Sequence, residues 1–101
     1  MSKPRLGDNF LNIAGAATTV VRSGSGTFKR LTVNKAVASG VITIYDNTAA
    51  SGTIIATITQ PATLLQTQYD LEFNCKFTTG LTIVTSAADD ITAIWNPVGN
   101  P

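Results

Sequence analysis

The chain predicts an all-β fold: one antiparallel β-sandwich or jelly roll of about seven or eight strands. Three observations carry that expectation. Short runs rich in Thr, Ile, Val and Ala recur from Val20 to Trp95. Gly, Ser, Asn and Asp punctuate them at a spacing of roughly 8 to 12 residues, the interval of strands and turns in a sandwich. Helical spacing is absent, apart from one turn-like stretch over residues 8–14.

Taken in order, residues 17–22 are the first candidate strand. Residues 29–34 form the next, with Leu31 and Val33 on one face and Arg30, Thr32 and Asn34 on the other, the two-residue alternation of a half-solvated strand. Ser23-Gly24-Ser25-Gly26 between them supplies two glycines able to adopt positive φ, so the pair reads as a hairpin. Residues 41–46 and 53–59 are dense in β-branched side chains, and the small polar stretch 47–52 between them gives the clearest hairpin of the chain. Gln60-Pro61-Ala62 breaks the ladder, because proline lacks the amide donor that a central strand needs. From 65 to 77 the odd positions hold Leu65, Tyr69, Leu71, Phe73, Cys75 and Phe77, whereas Gln66, Gln68, Asp70, Glu72, Asn74 and Lys76 fill the even ones. Turns at 78–80 and 86–90 flank a strand at 81–85, and residues 91–95 make the last strand before Asn96-Pro97 stops it.

The domain organisation that follows is an N-terminal arm over 1–15, a sandwich over 16–96 and a C-terminal tail over 97–101. The arm is polar up to Asn9 and then carries Phe10, Leu11 and Ile13, an apolar anchor that docks on a neighbour or packs back on its own domain. Several strands are apolar on both faces: Ile42 and Ile44 oppose Val41 and Tyr45, Ile54 and Ile58 oppose Ile55, and Ile94 opposes Ile91 and Trp95. A sandwich buries one face of each strand, so the other needs cover. A homo-oligomer supplies it; the alternative is a monomer whose outer faces are diluted by Ala and Thr.

Composition narrows function by exclusion. In 101 residues, 44% are hydrophobic and only 13% charged, with a mean hydropathy of +0.19, against about 25% charged residues in an average soluble domain. The formal net charge is +1, which argues against a nucleic acid or an anionic membrane as partner. Apolar runs are far shorter than the roughly 18 residues of a membrane span, and the first residues lack the apolar stretch of a secretory signal. Synthesis in a cytoplasm is the resulting expectation.

The chemistry of catalysis is thinly represented. The chain has no His and one Cys, so a Ser/His/Asp triad, a Cys/His pair and a cysteine zinc site are all out of reach. Among the carboxylates, Asp70 and Glu72 share a strand face, but it is the polar face beside Gln68 and Asn74. Asp89-Asp90 suits a turn or a hard cation such as Ca²⁺. The glycine-rich loop at 23–26 leads into a strand, not into the helix that phosphate binding requires. No enzyme, no cofactor and no small-molecule substrate is the expectation. Tyr45, Tyr69 and Trp95 leave open an aromatic platform for sugar, although core or subunit-contact roles suit them better. Phe10, Leu11, Ile13, Tyr45 and Trp95 are the candidate protein-contact residues.

The order of Phe28-Lys29-Arg30-Leu31-Thr32-Val33-Asn34, the run from Ile42 through Tyr45-Asp46-Asn47-Thr48-Ala49-Ala50-Ser51-Gly52 to Ile58, then Gly80-Leu81-Thr82-Ile83-Val84-Thr85 and residues 87–94, resembles small β-sandwich virion proteins of tailed bacteriophages. The resemblance covers most of residues 27–95. It implies a structural component of the particle, above all a capsid cement or decoration protein on the head surface, often a trimer that bridges major capsid protein subunits. A tail or fibre component that binds host glycan is the alternative it implies. No binding residue carries over one by one, and the arm lies outside the shared pattern.

Overall fold

The computed structural model describes residues 9–97. Their strands are β1 (Asn9–Ala14), β2 (Ala17–Ser23), β3 (Gly26–Lys35), β4 (Val41–Asp46), β5 (Thr53–Thr59), β6 (Tyr69–Phe77), β7 (Gly80–Thr85) and β8 (Asp90–Pro97). They form two four-stranded sheets, β1-β8-β3-β6 and β2-β7-β4-β5, antiparallel throughout. Within them β1 pairs β8, β2 pairs β7, β3 pairs β6 and β4 pairs β5. The chain therefore behaves as one long antiparallel ribbon closed at the β4–β5 turn and wrapped so that successive pairs fall in alternate sheets. That winding is the jelly roll.

The core lies between the sheets. Phe28, Leu31 and Val33 of β3, Ile42 and Ile44 of β4, Phe77, Leu81 and Ile83, and Ile91 of β8 are fully buried, each contributing about 1.5–3 kcal/mol of transfer free energy. Phe28 stacks on Phe73 with ring centroids 4.8 Å apart. Period-two alternation delivers these side chains inward, but bulges reset it. A register shift between Phe28 and Arg30 lets Phe28 and Leu31, three positions apart, both face the core. Another shift in β5, opposite Ile44 and Tyr45, pairs Ala56 with Ile44 and Ile54 with Tyr45. Ile54 consequently points outward, 52% exposed, while Ile58 lies opposite buried Ile42; the sequence alternation had put both on one face.

Several expectations are corrected. Residues 9–14 are not an arm or a helical turn but strand β1, an edge of the first sheet, because Phe10, Leu11 and Ile13 find backbone partners in Ile94, Ala93 and Ile91. The sandwich thus runs from Asn9 to Pro97, and Pro97 is its last strand residue, not the start of a tail. The rest of the expected arm, residues 1–8, and of the expected tail, 98–101, falls outside the described residues. Strands β2 and β3 make no hairpin: they lie in different sheets, and residues 23–26 carry the chain across the sandwich. Gly24, with φ +113, donates its amide to Thr79 O at 3.0 Å within that crossing. Strand β6 starts at Tyr69, four residues later than the alternation suggests, and Leu65 is 97% exposed.

Candidate interaction surface

The two outer faces of the sandwich differ in chemistry. On the first sheet, the positions opposite the core carry Arg30 across from Glu72, Thr32 across from Asp70 and Thr27 across from Lys76. Beside them the Asn12 amide donates to Asp90 Oδ1 at 2.7 Å and to Thr92 Oγ1 at 3.2 Å, and the Asn34 amide reaches the same two atoms at 3.2 and 3.0 Å. These bonds stitch β1 and β3 to β8 from both sides. The polar part of this face is satisfied by its own groups and by water, and its apolar positions are Ile94 and the exposed Phe10 opposite it.

The second sheet is different. With Leu81, Ile83, Ile42 and Ile44 turned into the core, the registers place Thr18 and Val20 of β2, Val84 of β7, Val41, Thr43 and Tyr45 of β4, and Ile54, Thr57 and Thr59 of β5 on the outside. Not one is charged. Val20 and Ile54 are 47% and 52% exposed. The only charged residues of these four strands are Arg22 and Asp46, both near strand ends, and both are engaged elsewhere. Arg22 lies opposite buried Leu81, its guanidinium over the Trp95 ring at 5.8 Å. The Asp46 carboxylate accepts hydrogen bonds from the amides of Thr78, Thr79 and Gly80 and from the Thr78 hydroxyl. Desolvation pushes the Asp46 carboxyl up, but the bonds from Thr79, Thr78 and Gly80 together outweigh it and hold it below its ordinary range. It thus anchors the β6–β7 turn to the end of β4.

The candidate contact residues separate on this framework. Phe10, 72% exposed, and Tyr45 stand on outer faces, of the first and second sheet respectively. Ile13 is core at 5% exposure and Leu11 packs against the core, so neither is free to dock on a neighbour; the β1·β8 register turns both inward opposite Ile91 and Ala93. Trp95 also turns inward, paired with buried Phe28 and packed against the core, and no acceptor among the described residues reaches its buried Nε1. Tyr69 lines a groove at the opposite end of β3 from Phe28. The three aromatics considered for a sugar platform are therefore not assembled in one place.

The carboxylates do not converge either. Asp90 faces the polar strip described above, whereas Asp89 is fully buried and accepts from the Val37 amide at 3.1 Å. Among the described residues no three His, Cys, Asp or Glu side chains come together as ligands. Cys75 is half-buried beside the core, and burial pushes its thiol up, away from the reactive thiolate. Comparison with known families, curated proteins and solved structures finds no match to this chain. The signal that sequence reading caught was the doubly apolar strands; what it missed was that the uncharged positions of four strands line up as one face, because the strand order of the second sheet is not sequential.

Proposed function

We propose that this chain is a non-enzymatic structural subunit of a virus particle, a cement or decoration protein that strengthens a phage head by docking on major capsid protein subunits as a homo-oligomer, a trimer in the arrangement the resemblance implies. The observation that carries the reading is the charge-free outer face of the second sheet. A hydrated surface without charge costs little to dehydrate, so burying it against a partner leaves few polar groups unpaired. The jelly-roll winding agrees with it, since capsid domains recur on this fold, an analogy of architecture alone. The mechanism is physical. A standard contact takes about 800 Å² from each partner, and an oligomer that engages several lattice sites at once holds more tightly than any single contact through raised effective concentration.

The test is retention on purified heads. Thr43 sits in the middle of the uncharged face, between Val84 and Thr57. Thr43→Lys is expected to fold normally and to be lost from heads, while Thr32→Lys on the polar face stays bound. The reading fails if purified heads contain none of the protein, or if heads lacking it resist heat as well as complete ones. Binding to a glycan array in place of heads would favour the tail or fibre reading.

A further inference from the structure

We propose that residues 61–68 form a clasp over one end of the sandwich, which opens as a single unit while both sheets stay closed. Nine residues, 60–68, join β5 to β6, the longest connection between the described strands. Such a connection is an Ω-loop when its ends meet and its body lies on the surface. Here the ends meet at Gln60 and Tyr69, where the Gln60 side-chain amide donates to the Tyr69 hydroxyl. Gln60 is buried, and its backbone amide donates to Gly40 O at 2.8 Å. The base of the loop is thus held by bonds in which residues 61–68 take no part.

The body of the loop is held by much less. Seven of its eight residues are exposed, and Leu64 alone packs against the core. Two backbone bonds fasten it, one near each end: the Ala36 amide donates to Thr67 O at 2.9 Å and the Ser39 amide to Pro61 O at 3.1 Å. An open groove of about 390 Å³ is lined by Pro61, Thr63 and Leu65 of the body and by Thr59, Gln60 and Tyr69 at its base, so the two are not packed together throughout. Segments with few buried apolar contacts and exposed backbone bonds open at a free energy well below that of global unfolding.

Two features make the opening a unit instead of a fraying of separate ends. The three attachments are evenly placed, with Leu64 three positions from Pro61 and three from Thr67, so withdrawal of its side chain loosens both fastenings together. Both donors also belong to one receiving loop, residues 36–40, which keeps its own anchors when the clasp leaves. There the Val37 amide donates to the buried Asp89 carboxylate at 3.1 Å and the Gly40 amide to Val37 O at 3.0 Å. Ser39 holds a left-handed φ of +62 in this loop, a conformation that a side chain other than glycine's adopts only where its surroundings impose it. Opening brings Leu64 out beside Leu65, which is 97% exposed in the closed form. The closed clasp therefore conceals half of an apolar pair at this end of the molecule.

Native-state amide exchange of the full chain at low urea concentrations tests this, with limited proteolysis as a second readout. The Ala36 and Ser39 amides are expected to share one opening constant with little urea dependence, and to exchange well ahead of the Gln60 amide and the bonded amides of β3 and β8. Leu64→Ala, which removes the shared foot, should raise the opening constants of both amides by the same factor, about tenfold. Leu65→Ala, at an exposed position, should change neither. Thermolysin, which cuts before leucine, should cleave first within residues 61–68 and leave the two fragments associated as a folded sandwich. The clasp is disproved if Ala36 and Ser39 exchange only with the whole domain, if Leu64→Ala moves one amide without the other, or if the first cut lies outside the loop. Because heads are absent from this experiment, its failure is separate from failure of the capsid reading.

Discussion

Gly26→Ala isolates how tightly the two ends of the wrapped ribbon are drawn together. Gly26 opens β3 between β8 and β6, opposite Pro97 on one side and Phe77 on the other. A β-carbon added there would meet Asn96 O at 2.5 Å and Phe77 Cζ at 2.7 Å. Restoring an ordinary contact of 3.4 Å to the carbonyl needs a retreat of about 0.9 Å. Strand β8 cannot give way freely, because it is held by β3 on one side and β1 on the other. Phe77 is fully buried and has no empty space to enter. Overpacking typically costs about 1–3 kcal/mol, and a clash with backbone belongs at the upper end, about 3 kcal/mol. For a domain of this size that lowers the melting temperature by about 12–24 °C. Gly15→Ala is the control: its φ is +98, but nothing lies within 4 Å of the added carbon, so it carries only the left-handed backbone penalty of about 1 kcal/mol. Calorimetry of both variants decides. If Gly26→Ala melts within a few degrees of the parent, or above Gly15→Ala, the close approach of β3 and β8 described here is wrong.

Asp46→Asn should reveal the linkage between charge and the β6–β7 turn. The folded carboxyl lies below its ordinary range, so its contribution is present at neutral pH and is lost as pH falls through the lowered folded value. The variant is expected to lose about 1 kcal/mol at pH 7, discounted for exposure, and the gap to the parent should close as urea unfolding is repeated toward about pH 2. A gap that stays constant across that range would remove the carboxylate from the account. Trp95→Phe should be close to neutral: the lost apolar burial, about 1–2 kcal/mol, is offset by release of a buried indole N–H that no acceptor among the described residues reaches, a cost of about 1–3 kcal/mol. A loss above about 3 kcal/mol would show that the ring's packing and its contact with Arg22 dominate.

The parts of this molecule that sequence alone made readable are those governed by neighbours along the chain. The β4–β5 hairpin is one, since dense β-branching on both sides of a small polar turn is a local signal. The alternation of residues 69–77 is another: odd positions face the core and even ones solvent. The two apolar sides of β4 are a third, with Ile42 and Ile44 turned to the core and Val41 and Tyr45 on the other face. What tertiary structure decided is every pairing between segments distant in sequence. Residues 9–14 become a strand only because Ala93 and its neighbours supply an edge roughly eighty positions away. The glycines at 24 and 26 serve a crossing between sheets and a close strand approach, not a hairpin. Bulges near Lys29 and Ile55 invert side-chain parity, because one extra residue in a ladder exchanges the faces beyond it. A strand's composition states that it has two apolar sides; which of them meets the core, and which joins three other strands in an uncharged face, is set by register and sheet order.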